Sequence, residues 1–434
     1  MGAWNGALKS EQEMKVLVVG QGGREHALVR ALNNSSSVEE VHALPGSDGI
    51  STEARCHRDC DWRDSNALLN LIRSNGIDLV VVGPEDPLVS GIADPLREQG
   101  VLVFGPNREA AQLEGSKIFC KEFLNEAGIP TARSVVVSSV EATRAAATMF
   151  SPPYVLKADG LAAGKGVFVC PTLDDLLSAA RAMFVDKTLG KAGERALLEE
   201  FQPGYEISYL VLTDGERFEP LPLAQDHKRL QDGDMGPNTG GMGVVAPVAL
   251  DESLRERIDK EVLEPTMANF KKRGFVYRGV LFVGLMITSS GPRVLEFNTR
   301  FGDPETQAIM PLLDGDWGVV FKETAEGRLP KLKWKPMASC CVVLAAEGYP
   351  ASPVKGAAIE GLDRADVGEK RYFLHAGTRR EASGQWVTAG GRVLNAIGLG
   401  TDINEAITNA YQLANQVSWT GMQMRADIGA KFRS

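Results

Sequence analysis

The chain is built around Val294-Leu295-Glu296-Phe297-Asn298-Thr299-Arg300-Phe301-Gly302-Asp303-Pro304-Glu305-Thr306. Apolar and polar residues alternate in its first half, which predicts a strand, and Gly-Asp-Pro then predicts a turn. Because side chains two apart on a strand share a face, we expect Glu296 and Asn298, with Arg300 one step further, on the same side. A carboxylate and an amide oxygen suit a hard cation such as Mg²⁺, and the arginine could stabilise the charge of a phosphoryl transfer. An ordinary edge strand with a solvated polar face is the alternative.

Composition indicates a globular protein of several domains. The 434 residues, 44% hydrophobic and 24% charged, are enough for about two to four domains. A formal net charge of −9 argues against a nucleic-acid binder, and no apolar run reaches the length of a membrane span. Residues 1–13 lack the layout of a signal peptide, so we expect a disordered leader.

The cysteines predict a reducing, cytoplasmic environment, because they form no disulfide framework. They are Cys56, Cys60, Cys120, Cys170, Cys340 and Cys341. No second ligand pair follows the first two at a useful spacing, which favours scattered thiols over a zinc site.

The first strand and glycine turn predict an anion site. Residues 14–19 form an apolar run typical of a buried parallel strand, and Gly20-Gln21-Gly22-Gly23-Arg24-Glu25-His26-Ala27 leads into a helix to about Leu32. The dinucleotide pattern G-x-G-x-x-G fails, because Glu25 occupies the third glycine position. A cation in the first helical turn is unfavourable unless an anionic ligand binds there, so Arg24 favours a phosphate-bearing small molecule over NAD. A tight turn without any ligand is the alternative.

Further α/β units follow this turn. Predicted strands at 41–44, 77–82 and 101–104 lead to Pro45-Gly46-Ser47, Gly83-Pro84-Glu85-Asp86 and Gly105-Pro106, with a helix near 66–74. Loops at the carboxyl ends of parallel strands line the ligand crevice of such sheets. Residues 14–116 are therefore predicted to form one doubly wound domain.

The middle of the chain changes to short strands and amphipathic helices. Ser116 is a plausible N-cap of a helix to about Ala127, and strands are predicted at 154–157, 167–169, 196–201 and 278–288, with a helix at 251–272. The loop 158–166 is a near miss to a Walker A loop and is predicted to be a flexible hairpin cover over phosphates, the alternative being a mobile surface hairpin. The glycines of 236–243 predict a loop that closes on a ligand. His227 could be structural or catalytic.

A C-terminal α+β segment begins near Ser339, with a strand at 340–345 and a helix near 404–416. No internal repeat is visible.

Several long motifs now carry a family resemblance. They are G-G-R-E-H-A at 22–27, V-G-P-E at 82–85, Q-L-E-G-S-K at 112–117, K-A-D-G-L-A-A-G-K-G at 157–166, Q-D-H-K-R at 225–229, G-P-N-T-G-G-M-G at 236–243 and E-F-N-T-R-F-G-D-P-E-T-Q at 296–307. From about Met14 to its C-terminal region, the chain resembles the glycinamide ribonucleotide synthetases of the ATP-grasp superfamily. Thr299 departs from the cysteine of many members, and its place between strand-face residues should make this matter little.

The resemblance implies an architecture. It is an α/β and α+β multidomain chain with an N-terminal doubly wound parallel sheet at 14–116, an ATP-grasp core at 117–335 and a C-terminal α+β domain at 336–434. A mobile lid subdomain would occupy about 132–200.

The resemblance also implies residue roles. Glu296 and Asn298 would hold Mg²⁺ or Mn²⁺, and Arg300, Lys228 and Asp226 would act in catalysis. The implied ATP-binding residues are Lys117, Lys157, Gly164, Lys165, Gly166, Glu199, Glu200, Phe201 and Glu206, with Glu199 and Phe201 at the adenine and Glu206 at the ribose. The implied substrate-binding residues are Gly22, Gly23, Arg24, Glu25, Pro45, Gly46, Glu85, Asp86, Asn238, Thr239 and Gly240.

The reaction that the resemblance implies joins glycine to 5-phosphoribosylamine in purine biosynthesis. ATP would phosphorylate the glycine carboxylate, and the amine would then displace phosphate from glycyl phosphate. The expected enzyme is cytoplasmic, a monomer or homodimer, without nucleic-acid or membrane partners. Another ATP-grasp enzyme of purine metabolism, with different acceptor loops around 225–243, and a non-catalytic nucleotide-binding module are the alternatives.

Overall fold

The computed structural model describes residues 13–162 and 164–432. The predicted leader, 1–13, lies outside the described residues apart from Glu13, and so does Ala163 of the predicted hairpin loop. None of the helices in the described chain is long and apolar enough to cross a membrane.

The N-terminal part is a five-stranded parallel sheet in the order β3-β2-β1-β4-β5. Its elements are β1 (Met14–Gly20), α1 (Gly23–Asn33), β2 (Val38–Pro45), β3 (Arg55–Cys56), α2 (Ser65–Asn75), β4 (Leu79–Val82), α3 (Glu85–Ser90), α4 (Ala93–Glu98), β5 (Leu102–Pro106) and α5 (Arg108–Gly115). Val16 and Val18 pack into the core on one face of β1, and Leu17 and Val19 into the core on the other. Burial on both faces explains why this strand reads as an unbroken apolar run.

A small antiparallel sheet, β6-β9-β7-β8, follows the next helix. The elements are α6 (Lys117–Glu126), β6 (Ser134–Val137), α7 (Val140–Ala147), β7 (Tyr154–Ala158), β8 (Val167–Cys170), α8 (Leu173–Phe184) and β9 (Ala196–Glu200). Ser116 caps α6 as predicted, since its hydroxyl accepts the Phe119 N–H at 3.1 Å. β7 and β8 form the predicted hairpin.

The central strands extend the N-terminal sheet. The elements are β10 (Tyr205–Thr213), β11 (Phe218–Pro220), β12 (Gln225–Asp226), β13 (Arg229–Gln231), β14 (Met235–Asn238), β15 (Gly243–Ala246), α9 (Glu252–Ile258), α10 (Glu264–Arg273), β16 (Tyr277–Thr288) and β17 (Gly291–Asn298). β16 pairs with β10, β17 and, through Tyr277 and Arg278, with the end of β5. One sheet of nine strands therefore runs from the N-terminal crevice to the predicted metal strand.

The predicted helix at 251–272 is interrupted by a π-helical turn, Asp259–Leu263, between α9 and α10. Pro265 stands at the start of α10, and because proline has no N–H it cannot continue the regular hydrogen-bond ladder.

The C-terminal sheet includes two strands from the middle of the chain, β12 and β15, and has the order β12-β15-β18-β22-β19. The remaining elements are α11 (Glu305–Ile309), α12 (Trp317–Ala325), β18 (Ala338–Ala345), β19 (Arg371–His375), β20 (Thr378–Arg380), β21 (Trp386–Thr388), β22 (Arg392–Gly400) and α13 (Ile403–Ala414).

The prediction of a loop over 236–243 holds for residues 239–242 and is wrong for 236–238 and 243, which lie in strands. β14 pairs with β13 as a hairpin, and β15 pairs with β18. The glycine at 243 serves this pairing, since its φ is +155° and a Cβ there would lie 2.7 Å from the Cys341 carbonyl oxygen.

Candidate active site

Glu296 and Asn298 share a face of β17, with Asn298 Nδ2 3.4 Å from Glu296 Oε1. Lys117, in the first turn of α6, places its Nζ 3.4 Å from Glu296 Oε2. Burial raises the pKa of Glu296, but Lys117 and Lys157 outweigh it and lower that pKa to about 2. The carboxylate is therefore ionised at any physiological pH.

This pair fits a divalent cation. An ionised carboxylate and an amide oxygen are the hard ligands that Mg²⁺ and Mn²⁺ take. Across 13–162 and 164–432 no group of three or more His, Cys, Asp or Glu side chains could hold a metal ion. Two protein oxygens leave further coordination positions for phosphate oxygens and water, as expected of a metal that is bound together with a nucleotide.

Lys157 is held inside a buried group of charges. Its Nζ lies 2.8 Å from Glu199 Oε2 and donates to the Leu295 carbonyl at 3.2 Å. Glu199 Oε1 lies 2.8 Å from Lys121 Nζ, a residue that the sequence did not single out. The carboxylate of Glu199 thus contacts two lysines of the protein, whereas the resemblance implies a contact with the adenine.

The other predicted ATP residues lie in or after the small sheet, except Glu206, which lies at the start of β10. Glu200 accepts from Arg133 N and Nε at 3.0 and 2.8 Å, while Phe201 and Glu206 are exposed. Gly164, Lys165 and Gly166 form the turn of the β7–β8 hairpin, where the Gly166 carbonyl accepts the Ala158 N–H at 2.8 Å.

Arg300 does not continue the Glu296–Asn298 face. β17 ends at Asn298, and Arg300 turns to Glu114 and Glu85, with Nη2 2.7 Å from Glu114 Oε1 and Nε 3.3 Å from Glu85 Oε2. Although burial lowers the pKa of Arg300, these carboxylates raise it overall. The period-two expectation fails here because the strand has already ended.

Lys228 and Asp226 form a second charged group with Glu305. Lys228 Nζ lies 2.6 Å from Asp226 Oδ2 and 3.8 Å from Glu305 Oε1. Burial lowers the pKa of Lys228, but the two carboxylates raise it overall, so the lysine is cationic. Glu305 comes from the 294–306 stretch, which brings this group beside the metal strand.

The loop after β14 packs around Lys228 and the C-terminal sheet. Thr239 donates from N and Oγ1 to the Lys228 carbonyl, both at 2.8 Å, and Asn238 is exposed at the end of the hairpin. The Gly240 N–H donates to Tyr349 Oη at 2.9 Å, and its carbonyl accepts from Arg392 at 2.7 Å. Arg392, which the sequence missed, also lies 3.1 Å from Asp303 Oδ2.

At the glycine turn, the carboxylate of Glu25 occupies the position expected for an anionic ligand. Glu25 Oε2 accepts the Gly22 N–H at 2.7 Å, and Glu25 Oε1 accepts from Arg24 Nε at 2.6 Å. Both side chains are buried, and Arg24 also donates to the Phe301 carbonyl at 3.2 Å. The misfit charge that favoured a ligand is thus compensated by Glu25, and a Cβ at Gly20 or Gly83 would clash with that glutamate side chain.

A crevice of about 560 Å³ opens at the carboxyl ends of β1 and β2, beside the point where the strand order reverses. Of the predicted substrate residues, Glu25, Pro45 and Asp86 line it, and Glu85 contacts Arg300 instead. Gly23 and Gly46 serve packing, since a Cβ at 23 would meet Asn395 Nδ2 at 2.5 Å and one at 46 would meet Cys56 Sγ at 2.3 Å.

The sequence missed Arg58, Trp62 and Arg63, which line the same crevice. They follow β3, and a strand of two residues leaves no recognisable pattern in the sequence. The rule that loops after parallel strands line the crevice would have found them, had β3 been predicted.

The small antiparallel sheet, the antiparallel strands β10, β16 and β17 of the central sheet, and the Glu296–Asn298 pair flanked by lysines are typical of one class of protein. The molecule is an ATP-grasp enzyme, a class that uses ATP and a divalent metal ion. Models of phosphoribosylglycinamide synthetase match consecutively: the N domain at residues 14–114, the ATP-grasp (A) domain at 115–306 and the C domain at 339–431. The chain belongs to this family. The resemblance and the fold class predicted from the sequence are confirmed.

Curated relatives support the assignment along the whole chain. The phosphoribosylamine–glycine ligase of a Nostoc species is 45% identical over 427 residues, covering 97% of this chain and 100% of that protein. That of Streptomyces coelicolor is 46% identical over 424 residues, covering 96% and 99%.

Solved structures agree. The phosphoribosylamine–glycine ligase of Thermotoga maritima superposes with a TM-score of 0.84 at 35% identity, covering 95% of this chain and 100% of that one. A biotin carboxylase domain from Hydrogenobacter thermophilus, solved with MgADP, has a TM-score of 0.71 at 18% identity, covering 95% and 92%, and shares the fold alone.

Proposed function

We propose that this chain ligates glycine to 5-phosphoribosylamine, forming glycinamide ribonucleotide, ADP and phosphate in purine biosynthesis. The observation that carries the proposal is the 294–306 stretch. Its Glu296 and Asn298 lie together beside Lys117, its Arg300 contacts Glu85, and its Glu305 lies 3.8 Å from Lys228. The names of the curated relatives support the same reaction.

In the first step the γ-phosphoryl group of ATP passes to a carboxylate oxygen of glycine, and ADP leaves. A Mg²⁺ or Mn²⁺ ion held by Glu296 and Asn298 would neutralise phosphate charge when bound. Lys117 and Lys157 orient the phosphates, and the β7–β8 hairpin excludes water from the acyl phosphate.

In the second step the amine nitrogen attacks the carbonyl carbon of glycyl phosphate. The C–O bond to phosphate breaks, phosphate leaves with the bonding electrons, and the departing phosphate takes up the proton that the nitrogen loses. Lys228, held cationic by Asp226 and Glu305, is placed to stabilise the anionic charge that develops during this step.

The crevice suits the acceptor. Asp86 offers an exposed carboxylate to ribose hydroxyls, and Trp62 offers an apolar face. Arg58 and Arg63 are exposed on its wall and keep N–H donors beyond their ion pairs with Asp48 and Asp86, whereas Arg24 is buried against Glu25. We place the 5-phosphate at Arg58 and Arg63, in preference to Arg24.

The experiment supplies the purified protein with ATP, Mg²⁺, glycine labelled with ¹⁸O in both carboxylate oxygens, and 5-phosphoribosylamine. ADP should form only with all four, and one ¹⁸O should appear in the released phosphate, because an acyl phosphate transfers that oxygen. ADP formation with bicarbonate or formate in place of glycine would instead indicate another ATP-grasp reaction. ATP binding without any turnover would indicate a nucleotide-binding module.

Mn²⁺ replacing Mg²⁺ in this assay identifies the metal preference, and sedimentation distinguishes a monomer from a homodimer. Cys56, Cys60, Cys120, Cys170 and Cys341 carry free thiols, in keeping with the cytoplasmic location that we propose.

A further inference from the structure

Helix α6 carries two lysines one turn apart, and only the first has a role so far. Lys117 faces Glu296, while Lys121 is buried, with 7% of its side chain exposed. The Lys121 ammonium donates to Thr131 Oγ1 at 2.8 Å and to the Ala132 carbonyl at 3.0 Å, and it lies 2.8 Å from Glu199 Oε1. All three N–H donors of the lysine are therefore used, and none points to a ligand.

Glu199 connects Lys121 to the phosphate site. Its two carboxylate oxygens are divided between the lysines, Oε1 to Lys121 and Oε2 to Lys157, and only 4% of its side chain is exposed. Two cations share one anion, so this buried group retains one positive charge. The contacts of Lys121 use all three of its N–H donors, whereas those of Lys157, to Glu199 and the Leu295 carbonyl, account for two, so Lys157 is the lysine with a donor left for a ligand.

The same group joins the small sheet to the metal strand. Glu199 lies on β9 and Lys157 on β7, whereas Lys157 also donates to the Leu295 carbonyl of β17. Thr131, a partner of Lys121, donates to the Val294 carbonyl at 2.8 Å. Lys121 therefore fixes Glu199 relative to the strand that carries Glu296.

We propose that Lys121 is a positioning residue for ATP: it takes half of the Glu199 carboxylate so that Lys157 keeps an uncompensated charge directed at the phosphates. Without Lys121, Glu199 and Lys157 would close into a neutral pair, and in a buried site that attraction competes with the nucleotide. The inference rests on the proposed function only in placing ATP at Lys157.

The test is a double-mutant cycle on ATP affinity. Lys121→Met keeps an unbranched side chain, one atom shorter, and removes its charge. It should raise the Kd for a non-hydrolysable ATP analogue with Mg²⁺ about 10- to 100-fold, the range of a charged hydrogen bond. Adding Glu199→Gln to Lys121→Met should recover part of that loss, because Lys157 again has no anion to neutralise it. If the double variant binds as weakly as Lys121→Met or more weakly, the charge-sharing account is wrong.

Controls separate positioning from loss of structure. Lys272→Met removes another lysine that contacts α6, through Glu126, at an exposed site, and should leave the Kd unchanged. Leu413→Ala destabilises the C-terminal core and shows how stability alone affects the Kd. In turnover, Lys121→Met should raise the KM for ATP while the KM for glycine stays within twofold, and an equal rise in both would contradict the proposal. Since analogue binding needs no acceptor, the result stands even if the ligation assay fails.

Discussion

At the scale of single residues, five cations of the site each contact a carboxylate of the protein. The pairs are Lys117–Glu296, Lys157–Glu199, Lys228–Asp226, Arg300–Glu114 and Arg24–Glu25. A metal ion and nucleotide phosphates would exchange partners with the first two, the metal taking Glu296 and the phosphates taking the lysines. The binding of metal and nucleotide should therefore be coupled.

Glu296→Ala should lower kcat by about 100-fold or more, since the metal-centred charge stabilisation that it would remove is typically worth several kcal/mol. Steady-state kinetics at saturating Mg²⁺ measure this, with circular dichroism to verify the fold. Asn298→Ala should behave in the same way. Near-normal turnover of Glu296→Ala would contradict the assignment of Glu296 as a metal ligand.

Replacing Arg24 and replacing Arg58 by alanine are predicted to have different effects, the first on stability and the second on acceptor binding. Arg24→Ala leaves the Glu25 carboxylate buried and unpaired, so it should destabilise the protein by about 3–5 kcal/mol. Arg58→Ala, at an exposed position on the crevice wall, should raise the KM for 5-phosphoribosylamine about tenfold with unchanged stability.

Urea unfolding and acceptor KM values, measured for both variants, test this contrast. The KM for ATP is the internal control, because we propose that the nucleotide binds at Lys117 and Lys157. If Arg24→Ala were stable and its KM for 5-phosphoribosylamine strongly raised, the 5-phosphate would have to be assigned to the glycine turn.

At the scale of elements, the β7–β8 hairpin combines a rigid base with an open turn. β7 is buried along its length and pairs with both β8 and β9, whereas Gly164 and Lys165 are exposed at the tip. Gly164 has a φ of +77°, which a residue with a side chain rarely adopts. A turn of this kind can close on phosphates without disturbing the sheet that carries Lys157.

Trypsin cleavage after Lys165 should be slowed by an ATP analogue with Mg²⁺, because the phosphates favour the closed, ordered turn. Cleavage after Arg380, exposed in the β20–β21 hairpin far along the chain, is the matched control and should not change. If the analogue slowed cleavage equally at both bonds, or at neither, the turn would not be a cover over the phosphates.

At the scale of the whole molecule, the three parts meet through buried polar contacts as well as through the shared sheet. The His375 N–H on β19 donates to His26 Nδ1 on α1 at 2.9 Å, and the two rings stack with centroids 5.7 Å apart. Arg392 on β22 reaches Asp303 after the metal strand. The C-terminal sheet therefore holds both the N-terminal helix and the active-site turn.

His375 should make stability depend on pH. Burial and the neighbouring His26 lower the pKa of His375 to about 3, against 6.5 for an ordinary histidine. Between these values the unfolded chain binds a proton that the folded chain does not, so this contribution is complete above about pH 6.5 and decreases as the pH falls. Urea unfolding between pH 7.5 and 5 measures this. The free energy of unfolding should fall more steeply with decreasing pH in the wild type than in His375→Gln, by up to about 1.4 kcal/mol per pH unit. If the free energy of unfolding fell equally with pH in both proteins, His375 would not be the cause of the pH dependence.

The sequence alone determined the features that depend on neighbours along the chain. Strand periodicity placed Glu296 and Asn298 on one face, Ser116 was recognised as a cap, and the apolar run of β1 predicted a parallel strand. Motif order was enough to identify the family, because the catalytic chemistry demands fixed residue types at fixed spacings.

Only the tertiary structure decided which charges meet. Arg300 pairs with Glu114, Glu199 with Lys121, and Arg24 with a glutamate that fills the expected anion position. Most of these partners lie far apart in sequence, and no local pattern records a contact between distant strands and helices. Burial makes the pairs obligatory, since an unpaired charge inside the protein is too costly, but the fold selects the partner.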